Sequence, residues 1–293
     1  MPEVAVTIRP VERDEQQHRE NTCRASFITY RNYLLSCSHL SEYIYPDLSL
    51  LKMALKESDR YQVKNIERIK KLLFNAWNTE LLLNLPSQFS KDFKKFSNHW
   101  SPVQSYYAVY LALRAFIVAK HPEAKGDHAT TLKFVAINLI RDQALFPTPW
   151  NVLKHKDTYI NTSNIKVETV NALENPQWND ASKLWGSYLM FVGTTHNRLC
   201  QEQCEKWKKE HPNINGTTRK KLPPGKKQEI FEWQRPVSFF DCLYRLRIRS
   251  NYKDADIFLL GAQEDEVQEY FESLCKLTNK LLFCIEHYLC CYL

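Results

Sequence analysis

"SPVQSYYAVYLALRAFIVAKHPEAKGDHATTLKFVAINLI", residues 101 to 140, decides the fold class. Ser101 is placed to cap a helix, and Pro102 takes the first helical position, where its missing N–H costs nothing. The apolar run continues to about Lys120, broken only by Arg114, and Pro122 and Gly126 mark a stop. A second helix opens at Asp127 or His128 and runs to about Arg141. It is apolar on nearly all sides, which predicts a central position. Two such helices joined by a short polar turn point to an all-α chain.

The flanking segments read the same way. Residues 1 to 20 are polar without period and are expected to form a flexible arm. Residues 21 to about 38 are aromatic and helical in pattern. In residues 59 to 85, Val63, Ile66, Ile69, Leu73 and Trp77 recur at three and four, which predicts an amphipathic helix ended before Pro86. Residues 144 to 180 look irregular, with room for one short extended piece. Residues 180 to 211 read as one long helix. Residues 212 to 236 form a basic loop that ends in a short helix or strand. Ser238 is placed to cap the next helix. The last helix is expected to bury Val267, Phe271, Leu274, Leu277, Leu281 and Ile285.

Bulk composition narrows the function. Apolar residues make up 44% of the 293 residues, enough for a sizeable core. Six glycines are too few for a sheet-rich fold with many tight turns. Neither a GxGxxG nor a GxxxxGK[ST] loop occurs, so no phosphate-cradling loop and no nucleotide cofactor is expected. A net charge of +7 favours an acidic partner, with RNA first, or simply serves solubility. Nine cysteines without a disulfide spacing, no secretory signal and no membrane-length apolar run suggest a reduced, cytoplasmic protein.

Three constellations could carry chemistry. The first is "LYRLRIRSNYKDADIF", residues 243 to 258. On a helix Arg245, Arg249 and Tyr252 share one face, and Arg247, Asn251 and Asp254 another. This is either a net of ion pairs, Arg247 or Arg249 to Asp254 or Asp256, or a site for phosphate. The second is His196, Cys200 and Cys204, stacked at spacings of four. Zinc would need a fourth ligand, so buried reduced cysteines are expected and no metal. The third is basic: Arg198, Arg219, Lys220, Lys221, Lys226 and Lys227, with Trp207 and Trp233 as stacking surfaces. It is either a nucleic-acid groove or a solvated loop.

The order of these pieces resembles the HEPN superfamily. The likeness lies in Tyr106, Tyr107, Tyr110, Arg114 and His128, then Arg245 or Arg247, Ser250, Asn251, Tyr252 and Asp254 before an acidic helix start. It covers 101–142 and 237–289. It makes 143–236 an insertion and 21–100 an N-terminal helical extension. The resemblance implies a HEPN-like helical bundle with additional helices and a basic inserted segment. It also implies a homodimer or a protein partner such as an antitoxin, and a ribonuclease role in toxin–antitoxin or antiviral defence systems.

In that family an arginine and a closely following histidine cleave RNA without metal. Here Ser250 takes the histidine's place and Tyr252 the tyrosine's. The implied site is therefore a modified one of Arg245, Arg247, Asn251, Tyr252 and Asp254, with Arg114. The alternative is a non-catalytic RNA-binding protein or scaffold. Arg13 with His18 and Arg114 with His121 also have the spacing, at a rate that chance explains.

Overall fold

The computed structural model describes residues 10–42, 65–89, 93–94, 97–121, 123–124, 126–143, 145–213 and 215–293, apart from the side chains of 10–14, 252, 253 and 292. The fold is all-α: 69% is helical, with two short strands among the described residues. In chain order the helices are α1 (Pro10–Leu40), α2 (Ile66–Asn84), α3 (Ser101–Lys120), α4 (His128–Phe134), α5 (Ala181–Glu210), α6 (Lys226–Trp233), α7 (Phe239–Ile248), α8 (Ala255–Leu259) and α9 (Glu264–Tyr292). No helix among the described residues is long and apolar enough to cross a membrane.

The central helix is α3, which packs against α2, α7 and α9. Its small residues Ala108, Ala112 and Ala115 are fully buried, which lets three neighbours approach. This corrects the expectation that the helix after it would be central. Instead α4, with the wider helical turns Val135–Arg141 that continue it, lies at the side: Ala129, Thr130 and Lys133 are exposed while Leu132, Val135 and Ala136 face inward. Asp127 caps α4 by accepting from Thr130 N at 2.8 Å. Its last turns widen, so that Asp142 N bonds Ile137 O at 3.0 Å. Ser101 is not a cap: it lies inside α3, and its hydroxyl donates to Ser97 O at 3.0 Å.

Helix α1 begins eleven residues earlier than its aromatic pattern suggests, at Pro10. Its polar first half docks through two ion pairs, Arg19 to Asp256 and Arg24 to Glu266, and Arg31 in the second half adds a third to Glu269. The α2 face is also rotated from the expected one. Ile69, Ala76 and Leu83 are buried and Leu73 packs on the core, while Ile66 and Trp77 are exposed. Ala76 allows the close approach to α3, and Trp77 donates instead to Glu286 Oε1 at 2.5 Å. Val63 lies outside the described residues. In α9 all six residues expected in the core are buried. Each buried Leu or Ile contributes about 2 kcal/mol.

Two features set α5 against α7. Asp180 caps α5 by accepting from Ser182 N and Lys183 N. Ser238 and Asp241 form a reciprocal cap on α7, with Ser238 N donating to Asp241 Oδ2 at 2.9 Å. Between them a hairpin of β1 (Leu153–His155) and β2 (Thr158–Ile160) turns through Lys156, whose φ is 54°. Lys154 exchanges both backbone bonds with Val237 at 2.9 Å, and Tyr159 OH donates to Leu189 O at 2.7 Å. The hairpin thereby fixes the entry of α7 to the middle of α5. One core cluster joins Phe27 of α1, Ile69 of α2, Val109 of α3, Phe191 of α5, Leu246 of α7 and Leu281 of α9.

Candidate functional site

A cleft of about 880 Å³ opens between α5 and α7, floored by Leu132 and Ile248. Four arginines reach it. Three are neutralised from within the chain. Arg198 Nε lies 3.1 Å from Glu202 Oε1, Arg235 Nη2 lies 2.5 Å from Asp241 Oδ1, and Arg249 Nε lies 2.8 Å from Asp254 Oδ2. Arg245 has no carboxylate within ion-pair distance among the described residues. Its Nη1 lies 3.4 Å from both Thr194 Oγ1 and Thr195 Oγ1. Both hydroxyls already donate to Phe191 O, at 3.1 and 2.9 Å, so only their lone pairs face the guanidinium. These two long, neutral bonds leave the charge of Arg245 uncompensated and directed into the cleft.

Other residues of 243 to 258 make contacts that hold the fold. Arg249 also donates to Tyr30 OH at 2.7 Å, which ties α7 to α1. Arg249 with Asp254 is thus the ion-pair reading of this stretch realised. Ser250 is fully buried and donates to the His99 carbonyl. Asn251 is half-buried. The side chain of Tyr252 lies outside the described residues.

On the other side of α7 lies an aromatic cluster. Arg247 is 8% exposed, and its Nη2 donates to Tyr107 OH at 2.7 Å. Its guanidinium lies 5.2 Å from the Tyr107 ring centre and 5.9 Å from that of Tyr244. His128 Nδ1 is 2.8 Å from Tyr106 OH, and its ring lies 4.5 Å from that of Tyr110 and 5.5 Å from that of Tyr244. Burial and then the charge of Arg247 lower the His128 pKa below its ordinary value, so near neutral pH the imidazole is uncharged. Burial raises the Tyr106 phenol far above its usual range. Tyr244 belongs to both regions, since it also lines the cleft.

The six residues expected as one catalytic set therefore divide. Arg245 and Asp254 reach the cleft, and Arg247 joins the aromatic cluster. Arg114 is 3% exposed and donates to Ala124 O at 2.9 Å, while His121 packs edge-on against Phe134. His18 is exposed, and the Arg13 side chain lies outside the described residues. His128 and its neighbours Tyr106, Tyr107, Tyr110 and Arg247 are among the residues that carry the HEPN resemblance, but nothing in local spacing marks His128 as their meeting point.

The basic set is dispersed. Arg219 Nε donates to His211 O at 2.7 Å. Lys220, Lys221 and Lys227 are exposed, and Lys226 pairs with Glu229 at 2.6 Å while lying 5.6 Å from the Trp207 ring centre. His196, Cys200 and Cys204 are buried, and no metal-holding group of three His, Cys, Asp or Glu occurs among the described residues. Burial pushes the Cys200 thiol up to about 11, which disfavours the thiolate that zinc requires.

Comparison of the chain with protein-family models, curated proteins and solved structures finds no match.

Proposed function

We propose that the protein is an RNA-directed, HEPN-like helical bundle that holds the RNA backbone in the cleft between α5 and α7. One observation carries the reading: Arg245 presents an uncompensated charge to a cavity in which every other arginine is paired with a carboxylate. A guanidinium with free donors is suited to phosphate, which it can meet with two parallel hydrogen bonds. The surface pairs of Arg198 and Lys226 are worth little in water, so phosphate can displace their carboxylates. The cytoplasmic, defence or toxin–antitoxin setting, and a homodimer or antitoxin partner, rest on the resemblance and belong to the same reading.

The test is the affinity of labelled RNA as a function of salt. Arg245→Gln is expected to weaken binding and to reduce the slope of log affinity against log salt by about one. Unchanged affinity in the folded variant would remove the cleft from the reading.

A second reading, metal-independent cleavage, is favoured by the meeting of His128 and Arg247 in one cluster. An uncharged imidazole can take a proton from a ribose hydroxyl, and a guanidinium can stabilise the phosphate charge that develops. Cleavage in EDTA that disappears in His128→Ala would establish it; binding without cleavage would leave the first reading alone.

A further inference from the structure

The cleft does not end at Arg235. A second cavity of about 440 Å³ follows it along α5, and Gln203, Gln234 and Arg235 line both. From Thr194 to Glu210 the α5 residues that border the two cavities span 16 steps, roughly 24 Å of helix. The second cavity is also lined by Trp233, the last residue of α6. Trp233 is 82% exposed, the most exposed of the large apolar side chains among the described residues. No aromatic contact holds it among the described residues, whereas Trp207 beside it is stacked on His211 at 4.3 Å. An indole costs free energy when left in water, and nothing in α6 is buried that would require its presence for folding.

Two cations on this path have no carboxylate within ion-pair distance among the described residues: Arg245 in the first cavity and Lys133 in the second. The path therefore combines an aromatic face open to solvent with unpaired positive charge. We infer that the two cavities form one groove for single-stranded RNA, with a base stacked on Trp233 and phosphates held at Lys133 and Arg245. This deepens the proposed function and rests on it. Stacking on an exposed indole needs a base whose face is open, and paired RNA hides its faces inside the helix. The inference thus specifies the strandedness of the ligand, which Arg245 alone does not.

The experiment compares a short labelled oligouridylate with a duplex of the same length by fluorescence anisotropy. The proteins are wild type, Trp233→Ala, Trp233→Phe, Lys133→Ala and Arg245→Gln. Wild type is expected to prefer the single strand. Trp233→Ala should weaken single-strand binding by about five- to a hundred-fold and leave duplex binding unchanged, while Trp233→Phe restores most of the affinity. Lys133→Ala should weaken single-strand binding less. Trp233 is exposed and Lys133 lies on the surface, so these variants should fold as wild type does.

Equal affinity for duplex and single strand, or an unaltered Trp233→Ala, overturns the groove. In that case loss of binding in Arg245→Gln still upholds the cleft. If wild type binds neither RNA, the reading on which the inference rests fails first.

Discussion

Arg249 and Asp254 are joined across five residues by an ion pair of 2.8 Å. A regular helix brings residues three and four apart together, not five. The contact forms because the turn that continues α7, Arg249–Lys253, is widened, with Asp254 N bonding Arg249 O at 2.9 Å. The same widening turns Ser250 inward toward the His99 carbonyl. Backbone and side chains thus cooperate at the point where α7 breaks into α8.

Asp254→Asn separates structural from chemical roles at this turn. Arg249 would lose its charged partner while half-buried, at a cost of about 1–2 kcal/mol in urea denaturation. Arg249 would then add its charge to the cleft, so RNA affinity should hold or rise. A fall in affinity at unchanged stability would show instead that Asp254 contacts the ligand.

Tyr107→Phe tests what holds Arg247. The ring remains for the guanidinium to stack on, but the acceptor at 2.7 Å is lost. A nearly buried charged donor without that oxygen should cost about 1–2 kcal/mol. Stability equal to wild type would mean that stacking, not the hydroxyl, fixes Arg247.

Acid should destabilise the fold through its histidines. His128, His121, His155, His196 and His39 all have pKa values lowered, in each case first by burial. With folded values below 6.5, the unfolded chain binds protons first. Stability from these groups is complete above about pH 6.5 and is lost as pH falls from there through the folded values. Melting temperature should therefore drop between pH 7 and pH 5, and His128→Asn should make that drop shallower. An identical slope in the variant would remove His128 from the account.

The helices were legible where a capping residue coincided with an apolar period. Asp180 and Ser238 mark α5 and α7 to within a residue, and the spacing in α9 names its core face. The reading failed where side-chain size or charge decided. Ala76 rotates the buried face of α2 by allowing a close approach, and ion pairs of Arg19 and Arg24 dock the polar half of α1. For the site, sequence placed Arg245 and Arg247 on different faces of one helix. It could not show that their partners come from α5 and α3, far along the chain. His128 reached Arg247 only through the packing of α4 beside α7.

Of the six glycines, Gly186 on α5 has the closest neighbour to an added Cβ, and Gly193 on the same helix makes the comparison. A Cβ on Gly186 would lie 2.0 Å from Glu168 O and 3.2 Å from Val170 Cγ1. Glu168 is itself held to α5, its N–H donating to Ser182 O at 3.1 Å and its carboxylate accepting from Ser182 Oγ at 3.0 Å. Its carbonyl therefore cannot retreat without breaking those bonds. A Cβ on Gly193 would meet Tyr159 OH at 2.5 Å, the end of a side chain that can swing away at the loss of one bond to Leu189 O. Alanine in place of a mid-helix glycine gains roughly 1 kcal/mol in both cases. Gly193→Ala should thus fall within about 1 kcal/mol of wild type, since the lost hydrogen bond offsets the gain. Gly186→Ala should lose more than about 2 kcal/mol, because a backbone segment has to move. Denaturant midpoints in that order support the seating of residues 165–170 along α5; equal midpoints would mean that the segment is not held there.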